Sequence, residues 1–260
     1  MSASAPPLSP FAQVEPASLA TLGLEDGDVQ LWCADLDQPD HVVAALERCL
    51  SPDEVERADR FKFPRHRRRH VVSRGVLRHL LGGYAGRAPA ALRFGYGDKG
   101  KPFLVDLDGP PIFNLSHSKE RVLIGVTRSE EIGVDVEHLR AMPDALSIAQ
   151  HFFSANEILD LESVSEDQIP VAFFNCWTRK EAYIKAVGDG LSAPLDRFDV
   201  TLIPNQEARM RSLEEDPQKA AAWSLYHFEP DAGYIGAVAI KGKDWRLVGR
   251  TLDPGALGAI

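Results

Sequence analysis

The chain has 260 residues, 44% of them hydrophobic and 26% charged, with a net charge of −9. That length allows one large domain or two modest ones, each with a core, while the acidic balance excludes a general nucleic-acid binder. The three cysteines, Cys33, Cys49 and Cys176, are odd in number and widely spaced, which excludes a disulfide framework or a structural zinc site.

Residues 1–25 are rich in Ala, Pro and Ser, with no basic leader and no apolar run of signal-peptide length. They read as a flexible arm. No later stretch is apolar enough to span a bilayer, so a soluble, cytoplasmic protein is expected. Val29–Asp35 reads as a strand and His41–Cys49 as a helix. Ser51-Pro-Asp-Glu carries a helix-start pattern, with Ser as N-cap, Pro at the first helical position and acids in the first turn. That helix is predicted to run to Arg60 or Phe61. Apolar residues at 72, 76, 77, 80 and 81 predict a helix over Arg67–Leu81 that stops at Gly82-Gly83.

Gly95–Pro102 is too glycine-rich for a regular element and is expected to be a loop. Val122–Thr127 and Ile132–Glu137 read as a hairpin. Helices follow over Ser147–Phe153, Ala155–Leu161 and Val171–Val187, and strands over Phe198–Leu202, Trp223–Phe228, Tyr234–Ile240 and Trp245–Val248. Helices and strands interleave without regular βαβ alternation, which predicts an α+β fold.

Charge is unevenly spread. Between Arg57 and Arg78 there are nine Lys/Arg against one acid, Asp59, and between Ser129 and Asp167 ten Asp/Glu against Arg140. One region could receive phosphates and the other hold a metal, although two solvated faces of opposite sign would look the same. In Ile132-Gly-Val-Asp-Val-Glu, strand alternation sends Ile132, Val134 and Val136 to the core and puts Asp135 and Glu137 on the other face with Gly133. Carboxylates this close repel unless a cation or a basic group lies between them, and a hard ion such as Mg²⁺ would serve. A solvated acidic face is the plain alternative.

On a helix, Trp177, Glu181 and Lys185 form one stripe, and the large apolar Trp177 turns that stripe inward. Buried charges need partners. A metal for Glu181 and a phosphate for Lys185 would provide them; an ordinary surface Glu–Lys pair is the plain alternative. In Asn114-Leu-Ser-His-Ser118, neighbouring side chains point opposite ways, and no G-x-S-x-G elbow surrounds Ser116. A serine hydrolase is not supported; Ser116 and His117 suit phosphate hydrogen bonds better, a structural histidine being the default for His117 alone. Gly100-Lys101-Pro102 could approach an anion, but no Walker motif is present. Arg57 and Arg69 could meet a terminal phosphate.

In this order the pieces resemble the Sfp-type 4′-phosphopantetheinyl transferase family. The match comprises a basic early helix ending near Phe61, then GKP (100–102), FNLSHS (113–118), IGVDVE (132–137), FFSANE (152–157), WTRKEAYIKAVGDGL (177–191) and PLDRFDV (194–200). Each motif is short, but the ordered series covers most of the chain and is specific.

The resemblance implies a monomeric α+β protein of two similar halves, 26–129 and 130–260, with coenzyme A in the cleft between them. It implies Mg²⁺, with Mn²⁺ as an alternative ion, held by Asp135, Glu137 and Glu181. Glu157 aligns with a family carboxylate proposed as general base, a metal-bound hydroxide being the alternative, and Lys185 would stabilise the departing 3′,5′-ADP. Lys185, Ser116, His117, Lys101 and Arg57 align with contacts to the coenzyme phosphates, and Lys180 would assist at the pyrophosphate. Some relatives carry a basic residue where this chain has Glu54, so the 3′-phosphate contacts are expected to rest on Arg57 and His117. The implied partner is an apo acyl, peptidyl or polyketide carrier protein, docking near the 171–187 helix. A Mg²⁺-dependent phosphodiesterase of nucleotide pyrophosphates, or a non-catalytic coenzyme A or carrier-binding module, are the competing readings.

Overall fold

The structure, a computed structural model, describes residues 11–14, 19, 22–105, 107, 109–188, 190, 194–214 and 216–257. Its N-terminal layer opens with β1 (Ala12–Val14) and β2 (Asp28–Asp35), followed by helices α1 (Asp40–Glu47), α2 (Pro52–Asp59) and α3 (Pro64–Ala85). A short pair, β3 (Phe94–Tyr96) and β4 (Pro102–Leu104), leads to β5 (Ile112–Ser118), β6 (Arg121–Thr127) and β7 (Ile132–His138). Then come α4 (Ala145–Phe152), α5 (Ala155–Ser163), α6 (Ile169–Val187), β8 (Phe198–Val200) and β9 (Met210–Leu213). The chain closes with α7 (Pro217–Ala221), β10 (Trp223–Phe228), β11 (Tyr234–Lys241), β12 (Arg246–Leu252) and α8 (Pro254–Leu257). Mixed helix and sheet without βαβ alternation is the α+β arrangement the sequence predicts.

Two sheets organise the molecule. One has the order β1-β12-β2-β6-β5, the other β10-β11-β7. Helix α3 covers the first with Val72, Val76, Leu77 and Leu80, packed on Trp32, Val122 and Ile124. Helix α6 covers the second, where Phe173, Ala182 and Ala186 join Ala237 and Ala239. A third cluster fills the space between the sheets, with Ile132, Val134 and Val136 facing Leu31, Leu123 and Val238. Those three β7 residues are the ones alternation sends inward.

Several expectations are corrected. The 122–127 and 132–137 runs are not a hairpin: β6 pairs with β2 and β5, while β7 pairs with β11. Both strands are buried on both faces, so the apolar pattern identified strands but not their partners. The 95–102 segment is not all loop, because its two ends pair as β3 and β4. Helix α3 runs past Gly82-Gly83 to a left-handed Gly86 cap. At Gly83 a side chain would collide with the Leu19 carbonyl, so that glycine serves a close approach rather than a stop.

The arm expected over 1–25 is not loose where it is described: β1 adds in parallel to β12, and Leu19 is buried. Residues 1–10, 15–18 and 20–21 lie outside the described residues, as do Asp189 and Leu191 of the lysine-rich motif. Strand β12 returns to the first sheet beside β2, so the layers do not part cleanly at residue 130. All three cysteines are free and buried. Among the described residues no helix is long and apolar enough to cross a membrane.

Candidate active site

The two sheets meet side by side at β5 and β7. Alternate residues of β5 reach across: Asn114 Oδ1 accepts from the Val134 N–H at 2.9 Å, Ser116 Oγ donates to Asp135 Oδ1 at 2.7 Å, and Ser118 Oγ donates to Glu137 Oε2 at 2.8 Å. The polar residues of the FNLSHS motif are therefore a seam between the halves. His117, pointing the other way, lines the main cavity instead.

Gly133 brings the helix to this seam. A methyl group there would stand 1.9 Å from the Ala182 carbonyl oxygen and 2.3 Å from the Ala186 nitrogen. Only glycine lets α6 lie this close on β7. Gly133 and Asp135 share one face of the strand, so the helix residues passing overhead, Glu181 and Lys185, are set beside Asp135. Lys185 Nζ donates to Asp135 Oδ1 at 2.6 Å and to Ser116 Oγ at 2.9 Å.

Burial, reinforced by the charges of Asp135 and Glu137 and opposed by Lys185, raises the Glu181 carboxyl above its ordinary range. Two oxygens at this seam, Asp135 Oδ2 and Glu181 Oε1, are buried without a hydrogen-bond partner. Buried anionic oxygens left without donors call for a cation, and an all-carboxylate set suits a hard divalent ion. The group is not a finished cage. Among the described residues no three His, Cys, Asp or Glu side chains stand together at metal-holding range, and Glu137 turns to Ser118 and to Arg140, the latter at 3.2 Å. Asp135 and Glu181 offer a divalent ion their two unpartnered oxygens, and Glu137 would join them only by leaving Ser118 and Arg140.

Beside the seam opens a cavity of about 820 Å³ between α2 and α3 on one side and the end of α6 on the other. Arg57, Lys101, His117 and Lys185 all line it. Lys101 is held there by Glu131 Oε2 at 2.6 Å and by the Ala186 carbonyl at 3.0 Å. The His117 imidazole is pushed below its ordinary value by burial and then by Lys185 and Arg69, against the pull of Asp135 and Glu137. Arg69 lines the cavity too, but Asp37 and the Lys119 carbonyl hold its guanidinium.

Three predicted residues are placed elsewhere. Ser116 faces Asp135 and Lys185 rather than the cavity. Glu157 and Lys180, each 0% exposed, pair at 2.8 Å. Glu157 also accepts from the backbone N–H groups of Ser154 and Val200, and Lys180 donates to the carbonyls of Leu195 and Phe198. A carboxylate so engaged and sealed is out of reach of an external hydroxyl. Its energetic role is to tie α5, α6 and β8 together, and burial, opposed by Lys180, raises its pKa. Glu54 is no cavity anion in wait: its carboxylate caps α2 and accepts from Arg74 and Arg78 at 2.6 Å each.

The sequence pattern gave no role to Gly133, Ser118 or Arg74. A lone glycine between apolar strand residues, and an arginine inside the apolar stripe of α3, were the signals available.

Comparison with known proteins adds a second line. Residues 131–239 match the sequence model of the 4′-phosphopantetheinyl transferase superfamily, and residues 37–128 match that of the 4′-phosphopantetheinyl transferase N-terminal region. The chain is 42% identical to the 4′-phosphopantetheinyl transferase HetI of Nostoc sp. over 227 residues, 86% of this chain and 92% of that protein. It is 35% identical to the transferase ffp of Bacillus subtilis, over 77% of this chain and 91% of that one. With the transferase Sfp of Bacillus subtilis identity is 31%, over 75% of this chain and 84% of the relative.

Proposed function

The chain belongs to the 4′-phosphopantetheinyl transferase superfamily, and from that membership we infer that it transfers the 4′-phosphopantetheinyl group of coenzyme A to carrier proteins. The acceptor is a serine hydroxyl of an apo acyl, peptidyl or polyketide carrier, as in holo-[acyl-carrier-protein] synthase-type enzymes, and the other product is 3′,5′-ADP. The observation that carries this reading is the seam where Lys185, Asp135 and Glu181 meet beside a cavity lined with cationic side chains.

Asp135 and Glu181, with Glu137 turned inward, would hold Mg²⁺ or Mn²⁺, which would neutralise the pyrophosphate as its P–O bond breaks. Lys185 is placed to stabilise the charge developing on the leaving 3′,5′-ADP. Lys101, Arg57 and His117 hold the coenzyme phosphates along the cavity wall. The carrier serine oxygen forms its bond to the β-phosphorus while the bond to 3′,5′-ADP breaks. The serine proton leaves to solvent at the open seam, since Glu181 Oε1 is committed to the ion and Glu157 is sealed against Lys180. Glu157 and Lys180 act at one remove, fixing the helix that carries Glu181 and Lys185. One copy of the chain supplies all of these residues, which supports action as a monomer.

The test is incubation with coenzyme A, Mg²⁺ and an apo carrier, read by the mass of the carrier. A carrier that gains phosphopantetheine supports the reading. Coenzyme A hydrolysed with no change in the carrier would make the protein a phosphodiesterase, and coenzyme binding without turnover would make it a binding module.

A further inference from the structure

Of the three acids at the seam, Glu137 is the one held away from the other two. Its Oε2 accepts from Ser118 Oγ at 2.8 Å and from Arg140 Nη1 at 3.2 Å, so two donors share one oxygen. Asp135 and Glu181, by contrast, each keep a buried oxygen without a hydrogen-bond partner. Glu137 follows Asp135 by two on β7 and shares its face of the strand. Its charge, with that of Asp135, acts on the Glu181 carboxyl. The three acids are thus neighbours, and one of them faces a cation that the protein supplies.

Arg140 has anchors of its own. Its Nη1 also donates to the His138 carbonyl at 3.0 Å, and its guanidinium lies over the Phe174 ring, 4.7 Å from the centroid. Phe174 belongs to α6 and is buried, so that ring is a fixed platform. Ser118 is anchored too, because its Oγ accepts from the His138 N–H at 3.1 Å. Glu137 is therefore the member that can move. Rotation of its side chain breaks one ion pair and one hydrogen bond and leaves both former partners in place. The ion pair is partly exposed, 43% at Arg140 and 23% at Glu137, and pairs of that kind are weak enough to exchange.

Resting on the divalent-ion reading of the seam, we propose that Arg140 is a positioning residue that competes with the ion for Glu137. It draws the third carboxylate toward Ser118, and a complete ligand set forms only when Glu137 leaves the guanidinium. Carboxylates gathered in one place repel unless a cation stands among them. The guanidinium relieves that repulsion from one side, and a divalent ion does so more strongly from within. Affinity for the ion is then lower than three uncommitted carboxylates would give. Arg140, which ligates nothing, sets by how much.

The experiment is a Mn²⁺ titration of the full chain, read from the electron paramagnetic resonance of the free ion, with neither coenzyme nor carrier present. Arg140→Gln is expected to bind Mn²⁺ roughly two- to fivefold more tightly than wild type, the scale of a partly exposed ion pair. Arg140→Lys keeps the charge and is expected to stay near wild type, while Glu137→Gln should bind more weakly. Both side chains are partly exposed, so the variants are chosen to fold, and circular dichroism checks that they do. Loss of a positive charge near any cation site tightens it, so the double substitution decides. If Arg140 acts through Glu137, Arg140→Gln changes nothing in a chain that already carries Glu137→Gln. An equal gain with and without Glu137 makes Arg140 a bystander charge and overturns the proposal. So does Arg140→Gln that binds no more tightly, or Glu137→Gln that binds as wild type does; the divalent-ion reading survives each of these. If neither wild type nor Arg140→Gln takes up Mn²⁺, that reading fails and the proposal falls with it.

Discussion

Lys185 Nζ lies 2.6 Å from Asp135 Oδ1, joining a helix to a strand fifty residues earlier in the chain. The contact ties the cation proposed for the leaving group to a carboxylate proposed for the metal, so each residue holds the other in place. Lys185→Met is expected to lower turnover about 10²–10³-fold, the usual loss of a charge-stabilising donor, and to raise the KM for coenzyme A. Circular dichroism and rates of carrier modification check it. A variant that loses activity only because it unfolds would make Lys185 a structural residue.

Asp135→Asn keeps the shape of the seam and removes the charge. Turnover is expected to fall at least about 10²-fold, and the fold should persist because Lys185 can still donate to the amide oxygen. Magnesium titration of the residual rate is the check. A variant as active as wild type at limiting Mg²⁺ removes Asp135 from the ligand set.

Glu181→Gln and Glu157→Gln should separate chemistry from architecture. The first is expected to remove most of the turnover with little effect on the unfolding midpoint. The second leaves Lys180 charged and sealed without its partner, which costs about 3–5 kcal/mol of stability. Denaturant titrations and rates per folded molecule distinguish them. The reverse pattern would return a direct chemical role to Glu157.

Gly133→Ala places a methyl group against the backbone of α6. Overpacking of this kind costs about 1–3 kcal/mol, and backbone, unlike a side-chain tip, has no rotamer to yield. Both the denaturant midpoint and the rate of carrier modification are expected to drop. An unaffected protein would mean that α6 does not press on β7 at this point.

His227 and His70 are both pushed down to about 4, first by burial and then by neighbouring arginines. In the unfolded chain they would titrate near the usual value of about 6.5. Between those two values the unfolded state binds more protons, so stability falls as pH drops through the window and the loss levels off below it. His227→Gln is expected to show a smaller drop in the denaturant midpoint between pH 7 and pH 4.5 than wild type. An equal drop would take His227 out of the acid response.

Much of the site was legible before the fold was known. The stripe Trp177, Glu181, Lys185 does lie on one helix, α6, and alternation put Asp135 and Glu137 opposite the apolar residues of β7. The α2 capping box was readable from Ser51 and Pro52. Partners were not readable. Strands β6 and β7 are consecutive yet belong to different sheets, and β7 takes its neighbour from about a hundred residues later. Nor could local pattern reveal that Lys180 and Glu157 are sealed inside, because a glutamate in the first turn of one helix and a lysine within another look like surface until packing covers them.

By itself the sequence determined the inventory: which acids, lysines and histidines exist, in what order, and which element carries each. The tertiary structure alone decided which of them meet. Ser116 and His117 are chain neighbours, yet one faces Asp135 and the other the cavity. Glu54 opens α2 in the pattern of a solvated first-turn acid, yet it is buried and accepts from both Arg74 and Arg78 of α3. Periodicity and propensity act over a few residues, so they can orient a side chain on its own element. Whether that side chain finds a partner depends on close approaches between distant segments, and here the decisive one is the bare backbone at Gly133 that lets α6 down onto β7.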